Sequence, residues 1–525
     1  MTELFRDFRY AARTLVKNPG VSLMAVSALG LGIGLTATMF SIVYGTLYRG
    51  LPFEDAGRIV HLERTNPEAG IEGMEVTVHD YVDWREQQAV FTDLAAFYTG
   101  TVNVRGSERA IRFDGGFMTA NAFRLLGVGP VVGRGFQAED DRPGAPRIML
   151  IGHRVWQERF DGDPGVVGRS VTVNGETGTI AGVMPEDFLF PFTQEVWVNL
   201  RPDPLGTERG EGTTLEVFGR LGDGISLDRA AVEMNQIARR LAEAHPEANE
   251  GIGVAIKPFT DEFIGEEPAR LLWVMMGAVA AVLLIACTNV ANLLLARTAL
   301  RTREVAIRSA MGASRRRLLL QLLSESLALS LAGAALGAGL AWIGIRAFDR
   351  AVAPVDMPFW LQYQLDAPVL LFVTGITVVA AMVSGVIPAV QATRGDVTEI
   401  LKDESRGSSS LRIGRLSRGL VVAEVAFSMG LLVAAGLMTK SVVQLRTFEY
   451  PFLHENVFTA RVGLFEADYP NAAERRRFFD RVEERLAGLP GAEAVTVTNN
   501  LPGLNAWPTP VTIEGRSYGG SQDHP

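Results

Sequence analysis

The sequence contains a single cysteine, Cys287, so an intrachain disulfide is excluded. Its six histidines are scattered, and no His-Glu-x-x-His pattern or His/Cys cluster indicates a zinc site. No lysine follows a glycine, which excludes the Gly-Lys-Ser/Thr loop that binds ATP phosphates. We therefore predict no catalytic residue, no cofactor and no metal ion. The chain is not expected to be an enzyme.

The charged and polar residues outside the apolar stretches do not indicate a catalytic site or a nucleic-acid-binding surface. His79 with Asp80, and the acidic residues between 138 and 141, are interpreted as solvated surface residues rather than catalytic groups. The formal net charge is −9, which argues against a nucleic-acid partner.

Long apolar stretches dominate what is present, and the mean hydropathy is +0.16. Each is longer than the roughly 20 residues that an α-helix needs to cross the hydrocarbon core of a bilayer. Only helices satisfy their own backbone hydrogen bonds there as single segments. We predict a polytopic α-helical membrane protein with five spans, at residues 18–48, 271–296, 318–345, 367–393 and 419–443.

Arginine predicts the orientation of these spans. Residues 1–17, 297–317 and 394–418 are rich in Arg, whereas residues 346–366 hold two Arg against three Asp. Because basic connections stay in the cytoplasm, the N-terminus is predicted to be cytoplasmic. The protein is then a multi-pass component of the bacterial inner (plasma) membrane, in contact with its lipids.

The remaining segments follow from this orientation. Residues 1–17 are predicted to form an amphipathic helix on the inner surface, with a frayed basic tail as the alternative. Residues 297–317 and 394–418 become cytoplasmic loops, and 346–366 a short extracytoplasmic loop. The large extracytoplasmic domain is 49–270, and 444–525 begins a second one that is truncated.

Both outer regions are expected to be mixed α/β. Residues 170–183 alternate around Asn174-Gly175, which predicts a β-hairpin. Leu227–Ala244 has helical apolar spacing, with Ser226 as its cap. Asn471 and Glu474 predict the start of another helix, and Ala494–Thr498 a strand.

The pattern of a basic approach, an apolar span and an outer domain occurs twice, about 400 residues apart. Transporters use such parallel repeats. We expect the chain to be a fragment of a protein of about 800 residues with about eight spans. The missing second repeat half, or a homodimer partner, would complete it.

A few polar residues lie inside the predicted spans. Asn289 and Asn292 share a helix face and suit interhelical packing or, alternatively, contact with a substrate. Glu325 and Glu424 are costly in lipid, so they either lie near the interface or inside the bundle, or relay protons. Gly333-x-x-x-Gly337 permits close helix approach.

Three segments carry a resemblance to a known family. They are CTNVANLLLARTALRTREVAIRSAMGASRRRLLLQLLSES at residues 287–326, RTLVKNPGVSLMAVSALGLGIGLTATMFSIVYGTLYRGLPF at 13–53 and RVWQERFDGDPGVVGRSVTVNG at 154–175. Together they resemble the MacB/FtsX-like permeases of ABC transport systems. The two-copy layout is similar to the duplicated "orphan permease" branch, whose members have no ATPase domain of their own.

The resemblance implies a MacB-like periplasmic core domain and a separate cytoplasmic ABC ATPase as partner, with a periplasmic adaptor as a further partner. Residues that would contact the ATPase lie in the loop after the second span. The ATPase-coupling candidates are Arg303, Glu304, Arg308, Gly312 and Ser314.

By this resemblance, the chain transmits motion from the ATPase to its periplasmic domains, for export or extraction of a substrate. A non-transporting, FtsX-like signalling or scaffold protein that activates a periplasmic partner is the alternative function.

Overall fold

Five helices in the computed structural model are long and apolar enough to cross a membrane, as predicted. The structure describes residues 19–105, 111–300, 314–355, 357–394, 409–448 and 471–498, with isolated positions and short stretches between and beside them. The predicted amphipathic helix of residues 1–17 lies outside the described residues. The membrane-length helices are α1 (Pro19–Leu47), α8 (Glu266–Leu300), α9 (Arg315–Val352), α10 (Ala367–Arg394) and α11 (Ser409–Arg446).

Between α1 and α8 the chain forms a mixed α/β domain, which confirms the predicted fold class. Its strands join one sheet in the order β11-β1-β10-β3-β4-β9-β6-β8-β5, with β2 beside β1, and β7 between β3 and β8. The strands are β1 (Ile59–Asn66), β2 (Ile71–Met74), β3 (Phe91–Arg105), β4 (Ile111–Met118), β5 (Val132–Gly133), β6 (Arg147–Ile151), β7 (Ser170–Val173), β8 (Glu176–Val183), β9 (Val196–Asn199), β10 (Glu216–Leu221) and β11 (Gly253–Pro258).

Helices cover the sheet and connect its strands. The longest is α5, whose cap Ser226 accepts a hydrogen bond from the N–H of Arg229. Its apolar face, including Met234 and Ile237, packs into a core on one lobe of the sheet. The domain helices are α2 (Val78–Gln87), α3 (Ala122–Leu126), α4 (His153–Phe160), α5 (Leu227–Ala244), α6 (Pro246–Asn249) and α7 (Phe259–Ile264).

The predicted hairpin is present as β7 and β8. Asn174 and Gly175 form its turn with φ of 50° and 87°. A two-residue type I′ turn requires both of its central residues in the left-handed region, which Asn and Gly tolerate best. The Asn174 side chain also ties the turn to β3, since its amide donates to the Thr101 carbonyl at 3.0 Å.

Small residues let α1 and α9 cross closely. A side-chain carbon added at Gly337 of α9 would lie 3.0 Å from the backbone nitrogen of Gly34, and one at Gly333 would lie 2.8 Å from the Leu29 side chain. Two Gly-x-x-x-Gly sequences, beginning at Gly30 and Gly333, therefore face each other. Such faces give membrane helices their van der Waals contact.

Helix α11 and the segment after it stand apart from this packing. The most apolar part of α11, within Val421–Gln444, has no buried residue, although the helix contacts α8. Helix α12 (Ala472–Ala487) begins as predicted, with Asn471 accepting from the N–H of Glu474 at 2.9 Å. The strand predicted at Ala494–Thr498 was wrong: these residues are irregular, because no neighbouring strand pairs with them among the described residues.

Candidate functional site

Four of the predicted coupling residues, Arg303, Glu304, Arg308 and Gly312, lie outside the described residues. Ser314 is the N-cap of α9, and its hydroxyl accepts a hydrogen bond from the N–H of Arg317 at 3.3 Å. That bond satisfies one of the free N–H groups at the start of a helix. Its part in coupling stays a prediction.

The polar residues predicted inside the membrane differ in their surroundings. Asn289 and Asn292 are partly buried on α8, and no described residue donates to the buried Oδ1 of Asn292. Glu325 on α9 is 7% exposed, whereas Glu424 on α11 is only partly buried. Their packing, substrate-contact or proton-relay roles stay predictions.

A hydroxyl contact between α9 and α10 was missed from the sequence. Ser326 is fully buried, and its Oγ donates to the Ala381 carbonyl at 2.7 Å. The same Oγ lies 3.0 Å from the Oγ of Ser384. The only sequence signal was a serine on each helix, and neither shows which residue it faces.

The end of α1 next to the α/β domain is tied to the connection between α9 and α10. Arg49 donates to the Gln362 carbonyl at 2.7 Å and forms an ion pair with Asp366 at 2.5 Å. Ser41 donates to the Gln364 carbonyl at 3.0 Å. Both charged side chains are partly shielded from water, which strengthens their attraction over that of an exposed pair.

The same connection inserts into the base of the α/β domain. Trp360 is 1% exposed and packs against Phe192, Phe259 and Phe263 with ring centroids 5.8–6.4 Å apart. The backbone N–H of Phe359 donates to the Phe192 carbonyl at 2.9 Å. Offset and edge-on ring pairs of this kind add about 0.5–1.5 kcal/mol each to the burial of their surface.

Helix α8 leaves the domain through the same cluster. β11 ends at Pro258, and α7 follows at once with the buried Phe259. Gly265, with φ of 74°, then turns the chain into α8. The domain-side ends of α1, α8, α9 and α10 thus meet the domain at one place, which we call the aromatic joint. It consists of Phe192, Phe259, Phe263, Phe359 and Trp360, with Arg49 and Asp366 beside them.

The interpretation of His79 and Asp80 as solvated surface residues was wrong. Asp80 is 1% exposed and pairs with Arg64 at 3.1 Å and Arg209 at 3.4 Å. It also accepts from the Asn249 amide at 2.8 Å. The Asp80 carboxylate therefore has a structural role, because it connects α2 to Arg64 on β1, to Arg209 and to Asn249 on α6.

Two family models match the chain. One describes a MacB-like periplasmic core domain and covers residues 22–237; the other describes the FtsX-like permease C-terminal region and covers 276–397. The first contains strands β1 to β10 and most of α1, and the second contains most of α8 together with α9 and α10. This chain belongs to the MacB/FtsX-like permeases.

Relatives of this permease are ABC transporter proteins. It is 27% identical to the ABC transporter permease YknZ of Bacillus subtilis over 55% of the chain and 68% of YknZ. It is 28% identical to the macrolide export ATP-binding/permease protein MacB of Azoarcus sp., over 52% of the chain. It spans only 40% of that MacB.

The extracellular domain of YknZ from Gram-positive bacteria has also been solved as a crystal structure. It matches this permease with a TM-score of 0.29 and 17% identity, over 38% of the chain and 99% of that domain. Taken with the five apolar helices, the family match describes a multi-pass inner-membrane permease with a periplasmic-type domain.

A catalytic-type spacing occurs near the end of the sequence. Gly515-Arg516-Ser517-Tyr518-Gly519 has the Gly-x-Ser-x-Gly spacing of a nucleophile elbow. The motif needs a strand before it and a helix after it, and these residues lie outside the described part of the chain. The spacing alone assigns no catalytic role, and a permease subunit of this family is not itself catalytic.

Proposed function

We propose that this permease is the membrane subunit of an ABC-type system driven by a separate cytoplasmic ATPase. The N-terminus and the arginine-rich connections are cytoplasmic, and the α/β domain lies in the periplasm. ATP-driven movement of the cytoplasmic helix ends tilts the helices, and the domain then moves to export or extract a substrate. A periplasmic adaptor and the rest of a longer chain, or a second copy, complete the assembly.

The aromatic joint is the observation that supports this proposal most. Transmission across a bilayer needs stiff helices and a firm connection at their outer ends. Trp360 and the salt bridge of Arg49 with Asp366 provide that connection, because they fasten several helices to the domain at one place. A domain on a flexible linker would not follow helix tilts.

Coupling to the ATPase is assigned to the loop of Arg303, Glu304, Arg308, Gly312 and Ser314. We expect the tagged protein to retain an ABC ATPase when it is purified from its native membrane, with the subunit identified by mass spectrometry. Arg308→Glu reverses a charge in this loop and should reduce the retained ATPase at least about tenfold. Arg239→Glu, on the exposed face of α5, is the matched control. Equal retention by both variants would contradict the assignment.

The joint is tested by measuring motion directly. Spin labels at Asn174 in the domain and Gly339 on α9, in a Cys287→Ala background, report the distance between domain and membrane by pulsed EPR. With the ATPase bound, ATP should shift this distance in the unmodified joint. Arg49→Gln removes the ion pair and should abolish the shift while the ATPase is still retained.

Arg154→Gln is the control for this experiment, because it removes a comparable ion pair with Glu195 on the domain surface. An ATP-induced shift of the same size in Arg49→Gln as in Arg154→Gln would show that the joint does not transmit motion.

A further inference from the structure

A buried polar cluster lies at the base of the α/β domain, beside the aromatic joint. His61 and Glu63 are on the same face of β1, since side chains alternate along a strand, and Glu262 is on α7. One ring nitrogen of His61 and one carboxylate oxygen from each glutamate lie within 4.8 Å of one another. His61 and Glu63 are 2% and 5% exposed.

The imidazole ring of His61 is fixed in place. Its Nε2 lies 2.7 Å from Oε2 of Glu216 on β10, and the rings of Phe259 and Phe263 pack edge-on against it. Its Nδ1 is buried and has no hydrogen-bond partner among the described residues. A neutral ring that donates its Nε2–H to a carboxylate keeps a lone pair on Nδ1. Carboxylates hold metal-binding histidines in this way.

A cation already occupies the space between the carboxylates. The ammonium group of Lys257 lies 2.5 Å from Oε1 of Glu63 and 3.0 Å from Oε2 of Glu262. Its side chain is 43% exposed, so it can turn out into solvent without crossing the core. Glu216, which contacts His61, adds a third carboxylate to the cluster. The cluster therefore carries more negative charge than Lys257 neutralises.

We propose that His61, Glu63 and Glu262 form a binding site for a divalent transition-metal ion of the zinc class. Nδ1 of His61 and one oxygen from each glutamate are the ligands. Glu216 orients the histidine, and Lys257 fills the cation position when no ion is bound. Sets of three nitrogen and oxygen ligands bind zinc and leave a fourth position for water.

The distances suit this ion after small side-chain rotations. Zinc binds nitrogen and oxygen at about 2.0–2.2 Å, which places tetrahedral ligands about 3.4 Å apart. Ligand atoms that lie within 4.8 Å of one another need to approach by up to about 1.4 Å. Sequence spacing did not reveal this site, because Glu262 lies some 200 residues after His61 and reaches it only in the folded domain.

An ion here would act on the joint. Two ligands come from the sheet and one from α7, which leads directly into α8. A bound metal would hold α7 against β1, whereas the lysine bridge can open. Metal binding thereby stiffens the connection between sheet and helix, and it does so whether or not the proposed transport function is correct.

The test uses the whole 525-residue chain in detergent, stripped with EDTA, dialysed and titrated with zinc chloride by calorimetry. We expect saturable binding of about one ion per chain. Glu262→Gln removes a ligand and should weaken binding at least about tenfold. Lys257→Met removes the competing ammonium and should tighten binding about tenfold. His245→Gln, at an exposed His–Glu pair, should change nothing.

Glu262 and Lys257 lie at the rim of the cluster, so these variants test the site without removing the buried His61. Thermal unfolding of each variant confirms that it is folded before titration. The proposal is overturned if neither the wild type nor Lys257→Met binds zinc saturably. It is equally overturned if Glu262→Gln binds as tightly as the wild type, or if Lys257→Met binds more weakly.

Discussion

Asp141 lies in the connection between β5 and β6, and its Oδ2 accepts a hydrogen bond from the N–H of Ala120 at 2.6 Å. Burial raises the pKa of its carboxyl to about 6, against the lowering effect of this hydrogen bond. A carboxyl whose pKa rises on folding stabilises the fold only while it is protonated. Its contribution is complete below about pH 4 and is lost as pH rises through about 6.

Asp141→Asn removes this titration. We expect the variant to be more stable than the wild type at pH 7.5, by up to about 3 kcal/mol, and the difference to shrink as pH falls towards 4. Thermal unfolding of both proteins in detergent across this pH range measures it. Asp114→Asn, at an exposed position on β4, should show no such pH dependence. A constant difference between Asp141→Asn and wild type would contradict the raised pKa.

Individual side chains were the part of the molecule that the sequence predicted least well. Asp80 and Arg209 lie 129 residues apart in the chain, so their pairing depends on how α2 meets a distant loop. Trp360 was not singled out, although Pro358-Phe359-Trp360-Leu361 is an apolar run in the connection predicted to be a short extracytoplasmic loop. That run was the available signal for the joint. Its depth of burial follows only from tertiary packing.

Among the elements, the crossing of α1 and α9 gives a direct test. Gly337→Leu places a side chain against the backbone of α1, within 3.0–3.1 Å of Gly34 and Gly30 atoms. Overpacking of this kind costs about 1–3 kcal/mol. We expect a lower thermal unfolding temperature in detergent.

Gly339→Leu is the matched control, because a side-chain carbon there meets nothing within 4 Å. Both substitutions add the same side chain to the same helix, so helix propensity and hydropathy cancel. If both variants unfold at the same temperature, the two helices do not cross as described.

Elements were predicted well where the local signal was sufficient. Each membrane helix follows from an apolar run, and α5 from a serine cap and a helical apolar pattern. The predicted second span started at residue 271, whereas α8 begins at Glu266. Hydropathy marks the apolar part of a helix and misses the polar turn outside the membrane. The prediction of a strand at Ala494–Thr498 was wrong, because five residues with alternating polarity form a strand only when a second strand pairs with them.

For the whole molecule, orientation is the prediction with the widest consequences. Asn174 lies at the hairpin turn of the α/β domain, which we place in the periplasm. In a Cys287→Ala background, Asn174→Cys should react with a membrane-impermeant maleimide added to intact spheroplasts. Ser409→Cys, before the fifth span, should react only after the membrane is opened. The reverse pattern would overturn the assigned topology.

The aromatic joint has a mechanical consequence that its composition determines. Ring contacts have no required partner, so a small helix tilt exchanges one contact for another at little cost. A seam of backbone hydrogen bonds would instead lose about 1 kcal/mol for each bond broken. The ring contacts therefore allow a small change of angle, while the hydrogen bond from Phe359 to the Phe192 carbonyl and the ion pair of Arg49 with Asp366 keep the domain attached to the helices.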